Sequence, residues 1–265
     1  MTHASGDAAT AGNGMSGRSR PELPPTSVLS AWGVVDPQPL AGGQGGAFRA
    51  GPFVLKPVDD PVQAVWLAEV LDAIDAGVAL RVVRPARSLD GRWVVDGWAA
   101  WHWMAGQHRP GAWGPVLEVS ERFHRAVSGV RWSPAMVTSN RWADADRVAW
   151  GEVEGELPAS ARRLLARRRP VDLPSQLIHG DLGGNVLFHG SLPPAVIDVS
   201  PYWRPAGYAA AIVVADAVAW AGAGDDVVER LLRRQGDQLL LRAVLFRIAT
   251  EPHEAEAYQR VMSLL

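Results

Sequence analysis

Cysteine is absent from this 265-residue chain, and lysine occurs once, at position 56. Without thiols the chain forms neither disulfide bonds nor thiolate metal sites or nucleophiles. Of the 26 basic residues, 25 are therefore arginine and one is Lys56. A guanidinium does not replace an ammonium where a compact point charge must meet phosphate oxygens, so the single lysine invites a chemical role.

The chain also lacks a strong excess of either charge and lacks a membrane segment. Its formal net charge is −2, which gives no sequence-wide electrostatic reason to bind nucleic acid or an anionic membrane. Residues 1–27 lack the apolar core of a secretory signal. The longest apolar stretch, residues 206–224, is interrupted by Asp216 and rich in alanine, which predicts a buried helix. We therefore expect a cytoplasmic protein without nucleic-acid or membrane partners.

A glycine-rich segment lies between two β-like runs in the first quarter of the chain. Residues 40–49 read LAGGQGGAFR, and the run 53–57 that follows carries Lys56. Glycine allows a backbone to approach a ligand closely, although such a hairpin alone is more often a simple turn. No Gly-Lys-Ser/Thr follows, so the segment is not a Walker A loop. The lysine next to it favours a ligand-binding role for Gly43, Gln44, Gly45 and Gly46.

Polar side chains are concentrated in residues 176–200, which read QLIHGDLGGNVLFHGSLPPAVIDVS. His179, Asp181, Asn185 and Asp198 lie beside two short β-like runs on a glycine-containing loop. Carboxylate and amide oxygens in such a setting suit two tasks, namely holding a divalent cation and accepting a proton from a hydroxyl. This stretch is therefore the candidate catalytic segment.

The pattern resembles the catalytic and metal-binding loops of the protein kinase-like superfamily, specifically its aminoglycoside phosphotransferase and choline kinase branch. His179-Gly180-Asp181, Asn185 and Ile197-Asp198 match that pattern. The resemblance implies that Asp181, in a catalytic motif with His179, orients or deprotonates the acceptor hydroxyl. It also implies that Asn185 and Asp198 hold Mg²⁺ on the phosphates of ATP.

One departure from the kinase pattern concerns loop length. The asparagine follows the catalytic aspartate by five residues in the kinase form, whereas Asn185 follows Asp181 by four. One residue fewer removes about 3.3–3.6 Å of reach. Gly183 and Gly184 can adopt the tight backbone that a shortened loop needs.

The same resemblance assigns roles in the N-terminal half. Gly43 to Gly46 would cover the nucleotide, and Lys56 would meet its phosphates. Glu69, on the helix after the lysine strand, would fix Lys56 by an ion pair; the alternative is a solvated carboxylate. The segment of Ala100, Trp101 and Trp103 would lie at the adenine ring, although packing between the lobes also explains the tryptophans. Asp216 would brace the catalytic loop backbone.

These elements occur in kinase order and predict an α+β, two-lobed protein kinase-like fold. We expect a small N-terminal lobe with an antiparallel β-sheet and one helix, and a larger, mainly helical C-terminal lobe. The predicted divisions are a disordered leader at 1–25, a nucleotide-binding lobe at 26–104 and a catalytic lobe at 105–265.

Only about seven residues separate Asp198 from the next predicted helix. The long activation segment of protein kinases is therefore missing, which favours a small-molecule acceptor.

The leading hypothesis is an ATP- and Mg²⁺-dependent phosphotransferase acting on a hydroxyl or amino group of a small molecule. The sequence leaves two alternatives open. A non-catalytic nucleotide-binding module would account for the shortened loop. A metal-dependent hydrolase would use His179, Asp181, His189 and Asp198 as ligands but leaves the glycine segment and Lys56 unexplained. The helices after residue 105 show no clear acidic cluster that would select a polycation.

Overall fold

The computed structural model describes residues 23–40 and 46–265. Most of the predicted leader and the residues Gly43, Gln44 and Gly45 lie outside these ranges. The strands are β1 (Gln38–Pro39), β2 (Phe48–Ala50), β3 (Phe53–Pro57), β4 (Arg81–Val82), β5 (Pro85–Ala86), β6 (Val94–Val95), β7 (Trp98–His102), β8 (Gln176–His179), β9 (Val186–Leu187), β10 (Ala195–Val196) and β11 (Pro201–Arg204). The helices are α1 (Thr26–Ala31), α2 (Pro61–Ala73), α3 (Trp113–Ala126), α4 (Arg141–Trp150), α5 (Ala159–Ala166), α6 (Ala206–Trp220), α7 (Asp225–Gln235), α8 (Gln238–Thr250) and α9 (Gln259–Leu264), with short 3₁₀ helices at Pro134–Met136 and Pro252–Tyr258.

The N-terminal lobe is built on an antiparallel sheet in the order β1-β2-β3-β7-β5, with β6 also paired to β7. In the register of β3 and β7, Leu55 is opposite Ala100 and Lys56 is opposite Ala99. Leu55 is fully buried, whereas the Lys56 side chain is 28% exposed. This difference follows from the strand period of two, which turns neighbouring side chains to opposite faces. The sheet thus sends Leu55 into the core and leaves Lys56 accessible.

Helix α2 packs on this sheet and begins where the pair Asp60-Pro61 predicts a helix start from the sequence. Asp60 caps it, because one carboxylate oxygen accepts hydrogen bonds from the backbone N–H groups of Val62 and Gln63, and Pro61 follows at the first helical position. At the other end, the Arg84 guanidinium donates to backbone carbonyls of the last turn, at 2.5–2.8 Å. A cation is favourable there because it meets the carbonyl end of the helix dipole.

The C-terminal lobe is helical and is centred on α6 and α8. Nine of the fifteen α6 residues and nine of the thirteen α8 residues are buried. The apolar stretch around residues 206–224 is therefore a core helix, as predicted. Within residues 23–40 and 46–265, no helix has the length and apolarity needed to cross a bilayer.

The sequence predicts two long strands, 80–89 and 92–103, joined by a turn at Asp90-Gly91, and the structure differs from this prediction. Asp90 and Gly91 do form a turn, closed by a 2.8 Å hydrogen bond from Gly91 N–H to Ser88 O. Each predicted strand is nevertheless divided in two, and β6 turns into β7 through Asp96 and Gly97, both with positive φ. That conformation at both central residues is the one a two-residue hairpin requires.

Strand β4 leaves the N-terminal sheet altogether. It pairs in parallel with β10, which in turn pairs with β9, and the Arg81 guanidinium donates to Pro193 O at 2.8 Å. The β4-β10-β9 sheet therefore joins the segment after α2 to the strand that leads into Asp198.

Candidate active site

A cleft of about 1140 Å³ lies between the N-terminal sheet and the helical lobe. Its lining includes the residues that the sequence places far apart along the chain: Gly46, Lys56, Trp101, Trp103, Asp181, Asn185 and Asp198. The convergence predicted for the lysine and the two aspartates is thus present in the geometry.

Lys56 and Asp198 meet directly across this cleft. Lys56 Nζ is 2.6 Å from Asp198 Oδ2, and the two side chains are 28% and 49% exposed. Asp198 has φ of 50°, a left-handed conformation that aspartate tolerates better than most residues with a side chain. This backbone bend lies at the point where the chain leaves Val196–Ile197 and directs the carboxylate into the cleft.

The predicted ion pair between Lys56 and Glu69 is not formed. Glu69 is exposed on α2 and makes no ion pair within the described residues, whereas Lys56 pairs with Asp198. The reason is helical phase, since Leu67, Ala68 and Leu71 occupy the buried face of α2. On this helix Gln63 lines the cleft.

The shortened loop between Asp181 and Asn185 is closed by its own hydrogen bonds. Asn185 N–H donates to Leu182 O at 3.0 Å, and Asn185 Nδ2 donates to Asp181 O at 2.7 Å and to Asp181 Oδ2 at 3.2 Å. With both of its amide hydrogens directed to Asp181, Asn185 offers its Oδ1 atom as the remaining polar group. The four-residue spacing therefore keeps the two functional side chains next to each other.

His179 holds the loop but does not reach the cleft. It is fully buried, its Nδ1 accepts hydrogen bonds from the N–H groups of Asp181 and Ser200 at 3.1 and 3.3 Å, and its Nε2 lies 3.2 Å from Ile197 O. Burial lowers the pKa of His179, so the ring is neutral and its Nε2–H donates to Ile197. Its predicted catalytic role is thus replaced by a positioning one, in which a single imidazole joins the Asp181 loop to the Asp198 strand.

A second buried histidine supports the first and was not anticipated from the sequence. His124 of α3 accepts a 3.2 Å hydrogen bond from His179 N–H through Nε2, while its Nδ1 is 3.1 Å from Ser120 Oγ. Burial, together with the nearby His179 ring, lowers the pKa of His124 to about 4. Protonation of His124 would remove the acceptor that His179 N–H uses.

We expect acid to destabilise the fold through His124. An unfolded histidine titrates near about 6.5 and the folded one near about 4, so the unfolded state binds more protons between these values. The stability contribution is complete above pH 6.5 and declines as pH falls towards 4, by about 2 kcal/mol between pH 7 and pH 5. Urea unfolding of wild type and His124→Gln at both pH values measures it. The decline should be smaller in the variant, and an equal decline would contradict this account.

Arg247 of α8 links the loop of Asp181 and Asn185 to the helical core. Its Nη2 is 2.9 Å from Asp181 Oδ1 and 2.5 Å from Asp216 Oδ2, and its Nε donates to both Asp216 oxygens. Asp216 also accepts a 3.0 Å hydrogen bond from Tyr258. Although burial alone lowers the pKa of Arg247, Asp216 and Asp181 raise it well above its ordinary value. Asp216 thus reaches the catalytic loop through an arginine side chain, instead of bracing the backbone as predicted.

Gly180 has a packing reason for being glycine. A Cβ at this position would overlap the ring of Tyr202, which lies on β11, paired antiparallel with β8. The ring sits against Gly180 and lines the cleft beside Asp181. The residue between His179 and Asp181 is thus fixed by contact with the strand that follows Asp198.

The predicted adenine-binding segment is only partly directed at the cleft. Trp101 and Trp103 line it, whereas Ala100 is 1% exposed and packs with Phe48 and Leu55 in the N-terminal core. The Trp103 ring is covered by the Arg49 guanidinium at 4.3 Å. Of the predicted glycine segment, Gly46 is described and lines the cleft.

The ligand set of the hydrolase hypothesis is not assembled. Both ring nitrogens of His179 face backbone groups, and His189 is exposed, with Nδ1 at 3.2 Å from Ser191 N. Across the part of the chain that the structure describes, no three His, Asp or Glu side chains are grouped to hold a metal. The hydrolase interpretation loses its geometric basis.

Comparison by sequence gives no match to a protein-family profile or to a curated protein. Comparison with solved structures does give matches. An aminoglycoside phosphotransferase from Alicyclobacillus acidocaldarius is 15% identical with a TM-score of 0.60, and 94% of each chain is covered. The chain has an aminoglycoside phosphotransferase-like kinase fold. This confirms the fold class expected from the sequence.

Two further structures with this kinase fold illustrate the range of its members. Spectinomycin phosphotransferase APH(9)-Ia, crystallised with ADP and spectinomycin, is 14% identical with a TM-score of 0.52, covering 88% of this chain and 91% of that one. A choline/ethanolamine kinase family protein from Mesorhizobium loti is 16% identical with a TM-score of 0.52, covering 87% and 88%. Similarity to both groups matches the branch that the His-Gly-Asp motif resembles.

Proposed function

We propose that this chain is a cytoplasmic phosphotransferase that moves the γ-phosphoryl group of ATP to a hydroxyl or amino group of a small molecule. The observation that carries the proposal is the 2.6 Å contact between Lys56 Nζ and Asp198 Oδ2, on the cleft wall that also holds Asp181 and Asn185. A point charge next to hard oxygen ligands is the combination that metal-bound phosphates need.

The donor set fits Mg²⁺. Asn185 offers an amide oxygen and Asp198 a half-exposed carboxylate, and both are hard ligands of the kind that Mg²⁺ takes together with substrate phosphates. When bound, the ion would neutralise charge on the β- and γ-phosphates. Lys56 would then exchange its contact with Asp198 for one with the phosphate oxygens.

Asp181 would align the attacking hydroxyl and receive its proton. The bond between the γ-phosphorus and its bridging oxygen to ADP breaks, and a bond from the acceptor oxygen to that phosphorus forms. The hydrogen bond from Asn185 and the contact with Arg247 hold the Asp181 carboxylate in place. Catalysis would therefore consist mainly of positioning and charge stabilisation.

Thermal unfolding with Mg²⁺ and ATP tests the nucleotide site. At a ligand concentration near 100 times Kd, binding adds about 2.7 kcal/mol, which for a chain of this size raises Tm by roughly 5–10 °C. We expect this shift in wild type and most of it to be lost in Lys56→Ala and in Asp198→Ala. The control is Asp72→Asn, an exposed carboxylate of α2. Equal shifts in all four proteins would overturn the assignment.

A non-catalytic nucleotide-binding module is the second candidate. The contact of Asp181 with Arg247 at 2.9 Å favours it, because a carboxylate oxygen that already accepts a charge-assisted hydrogen bond is less available to an acceptor hydroxyl. Stabilisation by Mg·ATP without phosphoryl transfer to any acceptor would support this candidate over the enzyme.

A further inference from the structure

The carboxylates that line the cleft and the adjoining cavity are mostly neutralised by arginine or lysine side chains of the chain itself. The adjoining cavity, of about 810 Å³, shares Asp181 and Arg247 with the cleft. The pairs are Asp146 and Glu152 with Arg204, Asp181 and Asp216 with Arg247, Asp198 with Lys56, and Glu251 with Arg141.

Two lining carboxylates have no cation within 4.0 Å among residues 23–40 and 46–265, and they lie apart. Asp59 precedes α2 and lines the cleft, while Glu254 lies in the 3₁₀ helix Pro252–Tyr258 and lines the adjoining cavity. A polycation is recognised by several carboxylates that face one pocket without internal partners. The charge arrangement described here does not provide such a group.

The cleft lining also includes aromatic and apolar side chains. They are Trp132, Met136, Val137, Trp142 and Trp203. Trp132 is 51% exposed and Val137 67% exposed. Exposed large apolar side chains that line one cleft mark a ligand contact more often than isolated ones do.

Among the aromatic side chains of this group, Trp132 is the one that the fold uses least. Trp203 packs against the central core, and Trp142 packs against the helical core. Trp132 is half exposed and stacks on no aromatic ring or arginine among the described residues. Its indole therefore presents an open face for stacking.

We propose that the acceptor is an uncharged hydroxyl compound that carries an aromatic ring, and that Trp132 stacks on this ring while Asp181 meets the hydroxyl. This inference rests on the phosphotransferase function proposed above and specifies its substrate class. Stacking on tryptophan supplies affinity without charge. A carboxylate whose charge is already balanced by an arginine or lysine attracts a cationic ligand less than an unpaired one does.

Three acceptors that share sugar hydroxyls test the inference in initial-rate assays with Mg·ATP. Phenyl β-D-glucoside is neutral and aromatic, methyl β-D-glucoside is neutral without the ring, and kanamycin is a polycation. We expect kcat/KM for the phenyl glucoside to exceed that for the methyl glucoside by about tenfold, the size of one stacking contact. Kanamycin should not exceed the methyl glucoside.

Variants identify the side chain responsible. Trp132→Ala should lower kcat/KM for the phenyl glucoside by about tenfold and leave the methyl glucoside unchanged. Leu173→Ala removes an apolar side chain of similar exposure, 48%, outside both cavities and should change neither value. A preference for kanamycin, or an equal loss for both glucosides in Trp132→Ala, would overturn the inference.

Failure of this inference is distinguishable from failure of the proposed function. Transfer to the methyl glucoside or to kanamycin with a kcat/KM at or above that for the phenyl glucoside, together with a Mg·ATP-induced rise in Tm that Lys56→Ala abolishes, overturns the acceptor class and leaves the phosphotransferase function standing. Absence of that rise in the wild-type protein overturns the phosphotransferase proposal, and the acceptor class with it.

Discussion

Asp181→Asn is expected to lower kcat for phosphoryl transfer by about 10²–10⁴-fold, the range that a positioned general base contributes. The amide keeps the shape of the carboxylate and one oxygen, which Arg247 can still contact, and Asn185 keeps its hydrogen bond to the backbone carbonyl of residue 181. The loop should therefore keep its conformation. What it loses is the ability to accept the hydroxyl proton. Steady-state rates with saturating Mg·ATP and the best acceptor measure the effect.

The same variant carries its own control. Because Lys56 and Asp198 are unchanged, the rise in Tm with Mg·ATP should equal that of wild type. A wild-type kcat in Asp181→Asn would remove Asp181 from the chemistry, whereas loss of the Tm rise would show that the change acts on nucleotide binding. Asp72→Asn, on the exposed face of α2, should match wild type in both measurements.

Arg247→Met is expected to cost about 3 kcal/mol of unfolding free energy, since removing one member of a buried ion pair leaves its partner uncompensated. The partner is Asp216, whose side chain is 20% exposed and whose Oδ2 lies 2.5 Å from Arg247. Urea unfolding measures the loss. Tyr258→Phe, which removes the hydrogen bond to Asp216 and the one that Trp220 Nε1 donates to the hydroxyl, should cost less, about 1–2 kcal/mol.

A double variant separates stability from positioning. Arg247→Met with Asp216→Asn removes both charges, so most of the lost stability should return. Asp181 still lacks the guanidinium that holds it, so kcat should stay below wild type while the KM for ATP changes little. Recovery of both stability and kcat in the double variant would reduce Arg247 to a structural role.

The sequence was sufficient to predict that Lys56, Asp181 and Asp198 lie in one cleft, because their residue types and positions are restrictive. A lone lysine after a glycine segment and an aspartate after an apolar strand each point to phosphate or metal, and the structure brings Lys56 and Asp198 to 2.6 Å. The periodicity of apolar residues also predicted the small sheet, the helix α2 and the buried helix α6. Whether these side chains bind Mg·ATP stays a prediction.

What the sequence did not indicate depends on packing across distant segments. Arg247 is one of 25 arginines, and nothing in its neighbourhood distinguishes a guanidinium that enters the core from one on the surface. Glu69 occupies the predicted helix, yet the rotation of α2 decides whether a carboxylate faces the sheet. The sequence showed the motif that contains His179. It did not show that the side chain is buried and contacts three backbone groups, which makes His179 a positioning residue for the loop.

The parallel pairing of β4 with β10 constrains how the cleft can open. Arg81–Val82 is bonded to Ala195–Val196, two residues before Asp198, and the Arg84 guanidinium ties the next residues to the end of α2. These hydrogen bonds thereby connect the C-terminal end of α2 to the strand that precedes Asp198. Any opening of the cleft that keeps these hydrogen bonds would therefore move the end of α2 and the Asp198 strand together.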